Sequence, residues 1–144
     1  VENLGRVNYG AKLFDRKGLL EGVRLGQQFH FGWDMYCLTM EDLTGLSWRK
    51  EGTCDRSGQP VFLKGSLIIE GEPSDTFIRV PDADKGFCVV NGFNIGRFWN
   101  TAGPQKTLYI PAPLLKTGEN EIILFCSDSI GTPQIISQNF PDLG

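Results

Sequence analysis

GFCVVNGFNIGRFW, residues 86 to 99, is the stretch that decides the fold of this chain. Strand-forming residues stand on both sides of the pair Asn91-Gly92. An Asn-Gly pair in this setting is the strongest short-range signal for a two-residue hairpin, because a type I′ turn needs a positive φ at both central residues. We therefore expect residues 86–91 and 92–99 to pair as antiparallel strands.

Further turn signals lie within and beyond the second arm of this hairpin. Gly96 inside a strand indicates a β-bulge or the close approach of another backbone. Gly103-Pro104 is expected to turn the chain, and the run KTLYIP then returns as the next strand. The predicted structural turn residues are Asn91, Gly92, Gly96, Gly103 and Pro104.

The same arm carries the candidate site. Strand alternation places Arg97 and Trp99 on one face and Phe98 on the other. A guanidinium beside an aromatic ring can pair with a carboxylate and stack at the same time, and the polar loop that follows begins with Asn100. Arg97, Trp99 and Asn100 are therefore candidates for substrate binding or for docking of another domain. On spacing alone, a hairpin with no binding role is the favoured interpretation.

The rest of the chain is also typical of β structure, because short apolar runs are interrupted by Gly, Pro, Asn or Asp. Two short helical segments are expected, Asp42–Trp48 and 111–118. Many short strands with turn signals between them indicate a sandwich or barrel. We predict an all-β, jelly-roll-like β-sandwich that forms a single domain over 1–144. Its expected strands lie near 1–8, 19–25, 30–40, 61–70, 75–80, 86–91, 93–99, 106–110, 120–127 and 134–138.

Composition excludes several classes of partner. With 144 residues, 40% of them apolar, the chain has enough material for one domain with a core. Its 14 Lys and Arg are scattered and the net charge is −3, which argues against nucleic acid or an anionic membrane as partner. No apolar run reaches the ~18 residues of a membrane helix. The start VENLGRV has no Met and has a strand-like pattern, so we expect a fragment or processed piece of a longer protein.

Cysteine and histidine give no strong chemical signal. Three of the four cysteines lie in apolar strand-like runs, where a thiol usually behaves as a small buried hydrophobe. Free thiols are favoured over disulfides because a chain of this length does not need them, although three pairings remain open. No CxxC occurs and His30 is the only histidine, so we expect no zinc site and no cofactor. The buried-type cysteines are Cys37, Cys88 and Cys126, Cys54 is the loop-borne one, and the loop acids left as candidate Ca²⁺ ligands are Asp82, Asp84 and Asp128.

Aromatic rings raise the question of carbohydrate binding, since sugars stack on Trp and Tyr. Core burial is the expectation for each ring except Trp99, which ends its strand beside a Gly-Pro turn. Trp33 and Tyr36, three apart on a predicted strand, would lie on opposite faces. The rings considered are Tyr9, Trp33, Tyr36, Trp48, Trp99 and Tyr109.

Three long segments of the chain resemble a known family. They are VENLGRVNYG at 1–10, RKGLLEGV at 16–23 and VVNGFNIGRFWNTAGPQKTLYIPAPLLKTGENEIILF at 89–125. They are similar to the C-terminal β-domain of β-galactosidases of glycoside hydrolase family 35, and the similarity runs from residue 1 to about 127. Phe98 stands where that family often has Tyr, and residues 45–75 carry no matching motif.

The resemblance implies a galactose-binding-domain-like fold within an enzyme that hydrolyses terminal β-galactosyl residues with retention. The family uses two glutamates on a (β/α)₈ barrel, which would lie N-terminal to this chain. Retaining chemistry needs two carboxyl groups about 5–5.5 Å apart. We assign no catalytic residue here, because the acids of this chain, Asp34 excepted, have the hydrophilic neighbours typical of solvated loops. The clustered acids are Glu70, Glu72, Asp75, Asp82 and Asp84.

Two functions remain as hypotheses. The first is a non-catalytic accessory domain that packs on the catalytic barrel of the same polypeptide, in a parent whose oligomeric state is open. The second is a stand-alone lectin-like module for galactosides. The first predicts little or no sugar affinity in the isolated chain, and the second predicts measurable galactose binding.

Overall fold

The computed structural model describes residues 22–49, 59–128 and 134–144. The chain divides into two compact units, Val1–Leu46 and Ser47–Gly144, and each is described by itself. The expectation of one domain over 1–144 stays a prediction. The strand predicted at 1–8 and the loop cysteine Cys54 lie outside the described residues.

The described part of the first unit contains one small hairpin. Strand β1 (Val23–Leu25) pairs antiparallel with β2 (Gln28–His30). The predicted strand 30–40 is wrong beyond its first residue, because residues 31–40 have no strand assignment. Gly32 has a φ of 75°, which turns the backbone away from extended geometry. Alternation of side chains specifies a possible strand, but a strand also needs a neighbour for its backbone hydrogen bonds.

The helix predicted from Asp42 is also wrong. The chain makes a turn at Thr44–Gly45 instead. The Asp42 carboxylate accepts hydrogen bonds from the Thr44 backbone N–H at 2.9 Å and from its hydroxyl at 2.6 Å. These two bonds hold the pKa of Asp42 below its usual value, and the bond from the Thr44 hydroxyl has the larger effect. A side chain that bonds its own local backbone offers the chain an alternative to a helix.

The second unit is a two-sheet β-sandwich, which confirms the predicted all-β class. One sheet is four-stranded, in the order β3-β8-β5-β6, and the other is three-stranded, in the order β7-β4-β9. Neighbouring strands are antiparallel throughout both sheets. The strands are β3 (Val61–Ile69), β4 (Thr76–Arg79), β5 (Lys85–Val90), β6 (Phe93–Trp99), β7 (Leu108–Ile110), β8 (Gly118–Cys126) and β9 (Ile136–Gln138).

The core lies between these two sheets. The three-stranded sheet contributes Ile78, Leu108 and Ile110. The four-stranded sheet contributes alternate residues of its strands, such as Val90 and Ile122. Each fully buried aliphatic side chain of this kind contributes about 1.5–3 kcal/mol relative to exposure. This sheet-on-sheet burial holds the edge strand β6, and with it the candidate site, in place.

Strands β5 and β6 form the Asn-Gly hairpin. Only Asn91 and Gly92 separate them, with φ values of 48° and 84°. The pairing shifts by one residue where Cys88 faces Gly96 and Val89 faces Asn94, so Ile95 is the extra residue of a β-bulge. Gly96 has a φ of 119°, a conformation that residues with a Cβ rarely adopt.

A buried amide ties this hairpin to the rest of the sandwich. Asn120 is fully buried, and its Oδ1 accepts a hydrogen bond from Asn91 Nδ2 at 2.8 Å. Asn91 Nδ2 also donates to the Leu114 carbonyl at 2.7 Å, and Asn91 Oδ1 accepts from the Glu121 backbone N–H at 3.0 Å. Asn91 therefore supplies the turn conformation and also links the turn to strand β8.

The predicted helical segment 111–118 contains a single 3-10 turn, Ala112–Leu114. Pro111 precedes it, and Gly118 begins strand β8 rather than ending the turn. Across the residues that the structure covers, no helix is long and apolar enough for a bilayer crossing.

Two of the three described cysteines follow the sequence prediction. Cys88 and Cys126 are buried and free, on the inner faces of the adjacent strands β5 and β8. Burial raises the pKa of the Cys88 thiol to about 12 and that of Cys126 to about 11. Cys37 is free but exposed, because the strand expected to bury it does not form in the described residues.

Candidate functional site

The candidate site lies on the outer face of β6, at the edge of the four-stranded sheet. Arg97 and Trp99 are both exposed, Trp99 to 46%, whereas Phe98 between them points into the core at 6%. Across the hairpin, Phe87 faces Arg97 and Lys85 faces Trp99. We call these four residues, Arg97, Trp99, Phe87 and Lys85, the β6 face.

An aromatic row extends the β6 face across the sheet. Phe87 and Phe125 stack with ring centroids 5.1 Å apart, and Phe125 lies 4.8 Å from Phe62. These rings are half-buried. Arg97 therefore stands at the end of an apolar row whose members come from three strands.

The cation beside the Trp99 ring is Lys85 rather than Arg97. Lys85 Nζ lies 5.3 Å from the ring centroid and 3.2 Å from Asp128 Oδ2. A cation over an indole at this distance contributes about 0.5–1 kcal/mol at an exposed site. One side of the ring is thus covered by an ammonium that a carboxylate holds in place.

Sequence reasoning missed Lys85, although a signal for it was present. Counting back from a two-residue turn at Asn91-Gly92 pairs position 99 with position 84. One extra residue for the bulge that Gly96 indicates moves the partner to Lys85, the observed register. The alternation rule gives residues of one strand only, so the partner strand has to be counted explicitly.

Asn100 serves mainly to anchor the end of β6. Its Nδ2 donates to the carbonyls of Val80 and Ala83, both at 2.6 Å, and its backbone N–H donates to the Asp84 carbonyl at 2.7 Å. Both amide hydrogens are therefore used internally. Of the three candidate residues, Arg97 and Trp99 lie together on the outer face, while Asn100 turns toward the chain itself.

Lys106 organises the loop that follows Trp99. Its Nζ donates to the carbonyls of Asn100 at 2.5 Å and Gly103 at 2.9 Å. The Gly103 backbone N–H donates back to the Trp99 carbonyl at 3.0 Å. A Cβ at Gly103 would lie 3.3 Å from that carbonyl oxygen, so a larger residue would press on the turn. Pro104, next in the loop, is exposed.

Asp75, one of the loop acids, has two hydrogen-bond partners within the described structure. Asp75 Oδ2 accepts from the Tyr109 hydroxyl at 2.7 Å, and its Oδ1 accepts from the Ala112 backbone N–H at 2.9 Å. These bonds hold the pKa of Asp75 below its usual value, and the bond from Tyr109 has the larger effect. The acid of a retaining pair instead needs a raised pKa, so Asp75 suits a structural role.

Two of the three acids considered for Ca²⁺ are engaged by other side chains of the chain, whereas Asp82 is exposed. Asp84 accepts from the Thr101 hydroxyl at 2.6 Å, and Asp128 pairs with Lys85. Within residues 22–49, 59–128 and 134–144, no group of three or more His, Cys, Asp or Glu is arranged to hold a metal ion.

The other rings differ in their surroundings. Trp33 and Tyr36 are exposed rather than buried, because the strand that would have carried them is not formed in the described residues. Trp48 is half-exposed, with Lys64 Nζ 5.6 Å from its ring centroid. Tyr109 packs on Phe77 with centroids 5.4 Å apart but is 46% exposed, so its predicted burial is also wrong. Tyr9 lies outside the described residues.

Comparison with known proteins relates the whole chain to one group of enzymes. Residues 60–120 match the family model "Beta-galactosidase, galactose-binding domain", and residues 1–39 match "Beta-galactosidase, first all-beta domain". Similar proteins include Beta-galactosidase 17 of Arabidopsis thaliana, 40% identical over 87% of this chain. Beta-galactosidase 1 of Dictyostelium discoideum is 44% identical over 87%, and Beta-galactosidase-1-like protein 2 of Homo sapiens is 38% identical over 100%.

The chain covers only a small part of the length of each of these relatives. The chain spans about a fifth of the length of the curated relatives that it matches, 20% of the Arabidopsis protein and 19% of the Dictyostelium protein. The candidate residues Arg97 and Trp99 lie inside the segment 60–120 that matches the galactose-binding domain model. The chain is therefore a relative of the beta-galactosidases, related to their galactose-binding domain at residues 60–120 and to their first all-beta domain at residues 1–39.

Proposed function

We propose that this chain is a non-catalytic accessory part of a family 35 β-galactosidase that hydrolyses terminal β-galactosyl residues. In this proposal its sandwich packs on the catalytic barrel of the same polypeptide through the β6 face. The observation that carries the proposal is the exposed pair Arg97 and Trp99, inside the segment that matches the galactose-binding domain model. The chain covers about a fifth of the length of these relatives, which supports the role of one part of an enzyme.

The chemistry of the β6 face suits docking to protein better than the binding of a sugar. Lys85 covers one side of the Trp99 ring, which removes that side as a stacking platform. Asn100, the candidate residue for sugar hydroxyls, donates both amide hydrogens to backbone carbonyls. A half-exposed Trp next to an Arg has the composition of an interface anchor, and Arg97 can pair bidentately with a carboxylate.

Activity of the isolated chain tests the non-catalytic part of the proposal. We expect no hydrolysis of aryl β-galactosides above background, because the two barrel glutamates are outside these residues. Steady turnover in a preparation freed of contaminating enzyme would contradict the proposal, and would direct the search to Asp34, Glu70 and Glu72.

Substitution of the β6 face in the parent enzyme tests the docking part. Arg97→Ala and Trp99→Ala should lower thermal stability or domain attachment before they change galactose recognition. Trp48→Ala is a matched control, since Trp48 is also half-exposed with a lysine over its ring but lies outside the β6 face. Equal losses for Trp48→Ala and Trp99→Ala would refute a specific role for the β6 face.

A titration of the isolated chain with galactose and lactose, followed by NMR shifts, separates docking from sugar binding. We expect no saturation. Saturable binding tighter than about 1 mM, roughly −4 kcal/mol, that Trp99→Ala abolishes would replace the accessory role with that of a lectin-like module.

A further inference from the structure

The turn between β5 and β6 contains the only Asn-Gly pair of the sequence, Asn91-Gly92. This pair has a chemical reactivity of its own besides its turn preference. The backbone nitrogen of the residue after an Asn can attack the side-chain amide carbon, and a Gly hinders this attack least because it has no side chain. The product is a cyclic imide, which water then opens to an aspartyl or an isoaspartyl residue.

The surroundings of the pair leave room for this reaction. Asn91 and Gly92 are both exposed to solvent. A Cβ built on Gly92 would have no heavy atom within 4 Å apart from its chain neighbours. Gly92 lies in the turn, between the paired residues Val90 and Phe93. Water therefore reaches the pair, and the Gly92 side of an imide ring has free space.

The native contacts of the Asn91 side chain oppose the reaction. Its Nδ2 donates to the Leu114 carbonyl at 2.7 Å and to Asn120 Oδ1 at 2.8 Å. Its Oδ1 accepts from the Glu121 backbone N–H at 3.0 Å, and its own backbone N–H donates to the Glu121 carbonyl at 2.9 Å. Ring closure expels the side-chain nitrogen, so it has to break both Nδ2 bonds. The amide is thus solvent-exposed but held in place by strand β8 and the loop before it.

We propose that Asn91 is a site of spontaneous deamidation, which the native hairpin protects and which opening of the hairpin makes reactive. The Gly92 nitrogen, after loss of its proton to hydroxide, forms a bond to Asn91 Cγ. The Cγ–Nδ2 bond breaks, and the nitrogen leaves as ammonia with a proton from water. One further water molecule hydrolyses the imide and leaves a carboxylate. The reaction adds one negative charge and does not depend on the proposed function.

The product cannot rebuild the native contacts. An aspartyl oxygen in place of Asn91 Nδ2 would face two acceptors, the Leu114 carbonyl and Asn120 Oδ1. Asn120 cannot turn its amide to supply a donor, because its own Nδ2 donates to the carbonyls of Lys116 and Gly118. The isoaspartyl form also lengthens the main chain of a two-residue turn. Deamidation therefore converts a transient opening of the hairpin into a lasting loss of stability.

Peptide mapping by mass spectrometry measures the deamidation rate of the 144-residue chain at mildly alkaline pH. In urea above the unfolding transition, we expect position 91 to react fastest of the asparagines. In the native chain its rate should be at least about 100-fold lower, because the reaction then requires a local opening.

Two variants test whether the contacts of Asn91 cause this protection. Asn120→Ala removes one acceptor of Asn91 Nδ2 and should raise the native rate about 10-fold. Asn94→Ala is the matched control in the same hairpin and should leave the rate unchanged. If circular dichroism shows that Asn120→Ala is unfolded, the natural chain in urea below its transition takes its place, and its rate should rise with the urea concentration.

The deamidated chain, separated by ion exchange through its added charge, tests the consequence. Its urea midpoint should be lower, with a folding constant reduced about 10- to 100-fold. Asn91→Asp should reproduce the loss, since Asp-Gly keeps the type I′ preference. Asn94→Asp adds the same charge but can still accept from the Gly96 backbone N–H, so its midpoint should not change.

Three results would overturn the inference. They are no preferential reaction at position 91 in urea, equal rates in the native and unfolded chains, and a deamidated chain as stable as the unmodified one. Each leaves the accessory role intact. Saturable galactose binding would instead contradict the proposed function without affecting these measurements.

Discussion

Removal of the Asn120 side chain should destabilise the sandwich more than removal of an exposed amide with a single local hydrogen bond, such as that of Asn94. Asn120 is fully buried, and its Oδ1 accepts from Asn91 Nδ2 at 2.8 Å and from the Lys116 backbone N–H at 2.9 Å. Its Nδ2 donates to the carbonyls of Lys116 at 2.8 Å, Gly118 at 3.1 Å and Leu67 at 3.3 Å. One side chain thus joins the hairpin turn, the loop before β8 and strand β3.

The magnitude follows from the bonds that Asn120→Ala deletes. A net hydrogen bond contributes about 0.5–1.5 kcal/mol, and a buried group left without a partner costs about 1–3 kcal/mol. The three shortest bonds alone therefore give a loss of about 1.5–4.5 kcal/mol. That is a large part of the ~5–15 kcal/mol by which a domain is stable. We expect a destabilisation of about 3 kcal/mol.

Urea unfolding followed by far-UV circular dichroism measures this loss. Asn94→Ala is the matched control, because Asn94 is exposed and its side chain only accepts from the Gly96 backbone N–H. Its expected cost is below about 1 kcal/mol. If Asn120→Ala costs no more than Asn94→Ala, the buried amide does not hold the hairpin and the reasoning is refuted.

Asn120→Asp adds a pH test of the same site. The substitution keeps the shape of the side chain and its Oδ1. It replaces the amide NH₂, which donates to the carbonyls of Lys116 and Gly118, with a second oxygen that can only accept when it is charged. The folded state should then raise the pKa of the new carboxyl above its unfolded value, because the charged form is disfavoured there. The destabilisation is consequently full at neutral pH and shrinks as the pH falls and the carboxyl is protonated. A pH-independent loss would contradict this account.

Three further predictions concern other parts of the structure. Gly92→Val places a β-branched residue at a φ of 84° and should cost about 1–3 kcal/mol in thermal unfolding, whereas a neutral result would refute the turn assignment. The pKa of Asp75 is lowered chiefly by the Tyr109 hydroxyl, so the stability it contributes should be lost only as the pH falls below its ordinary value of 3.8. Tyr109→Phe should raise this pKa in an NMR titration, and an unchanged pKa would contradict the assignment. In thiol labelling of the native chain at neutral pH, the exposed Cys37 should react at once. The buried Cys88, with a pKa of about 12, should react only as the chain unfolds. Equal labelling rates for the two thiols would be inconsistent with the burial of Cys88.

The hairpin at the candidate site was predictable because its signals are local. A positive φ at two successive residues is a property of Asn91-Gly92 themselves, and alternation along one strand separates Phe98 from Arg97 and Trp99. Both depend on covalent geometry and on neighbours a few residues away. The all-β class was predictable for the same reason, since strand and turn residues alternate along most of the chain.

The remaining features depend on contacts between distant parts of the chain, and only the tertiary structure decided them. The order β3-β8-β5-β6 brings Leu67 next to Asn120, 53 residues apart, and no local rule specifies that pairing. Lys85 became the cation over Trp99 through the register of a bulged hairpin. The alternation after His30 indicated a strand, but side-chain period specifies only which face of a strand is apolar. Whether the strand forms depends on a neighbour that supplies backbone hydrogen bonds, and that neighbour is a matter of tertiary structure.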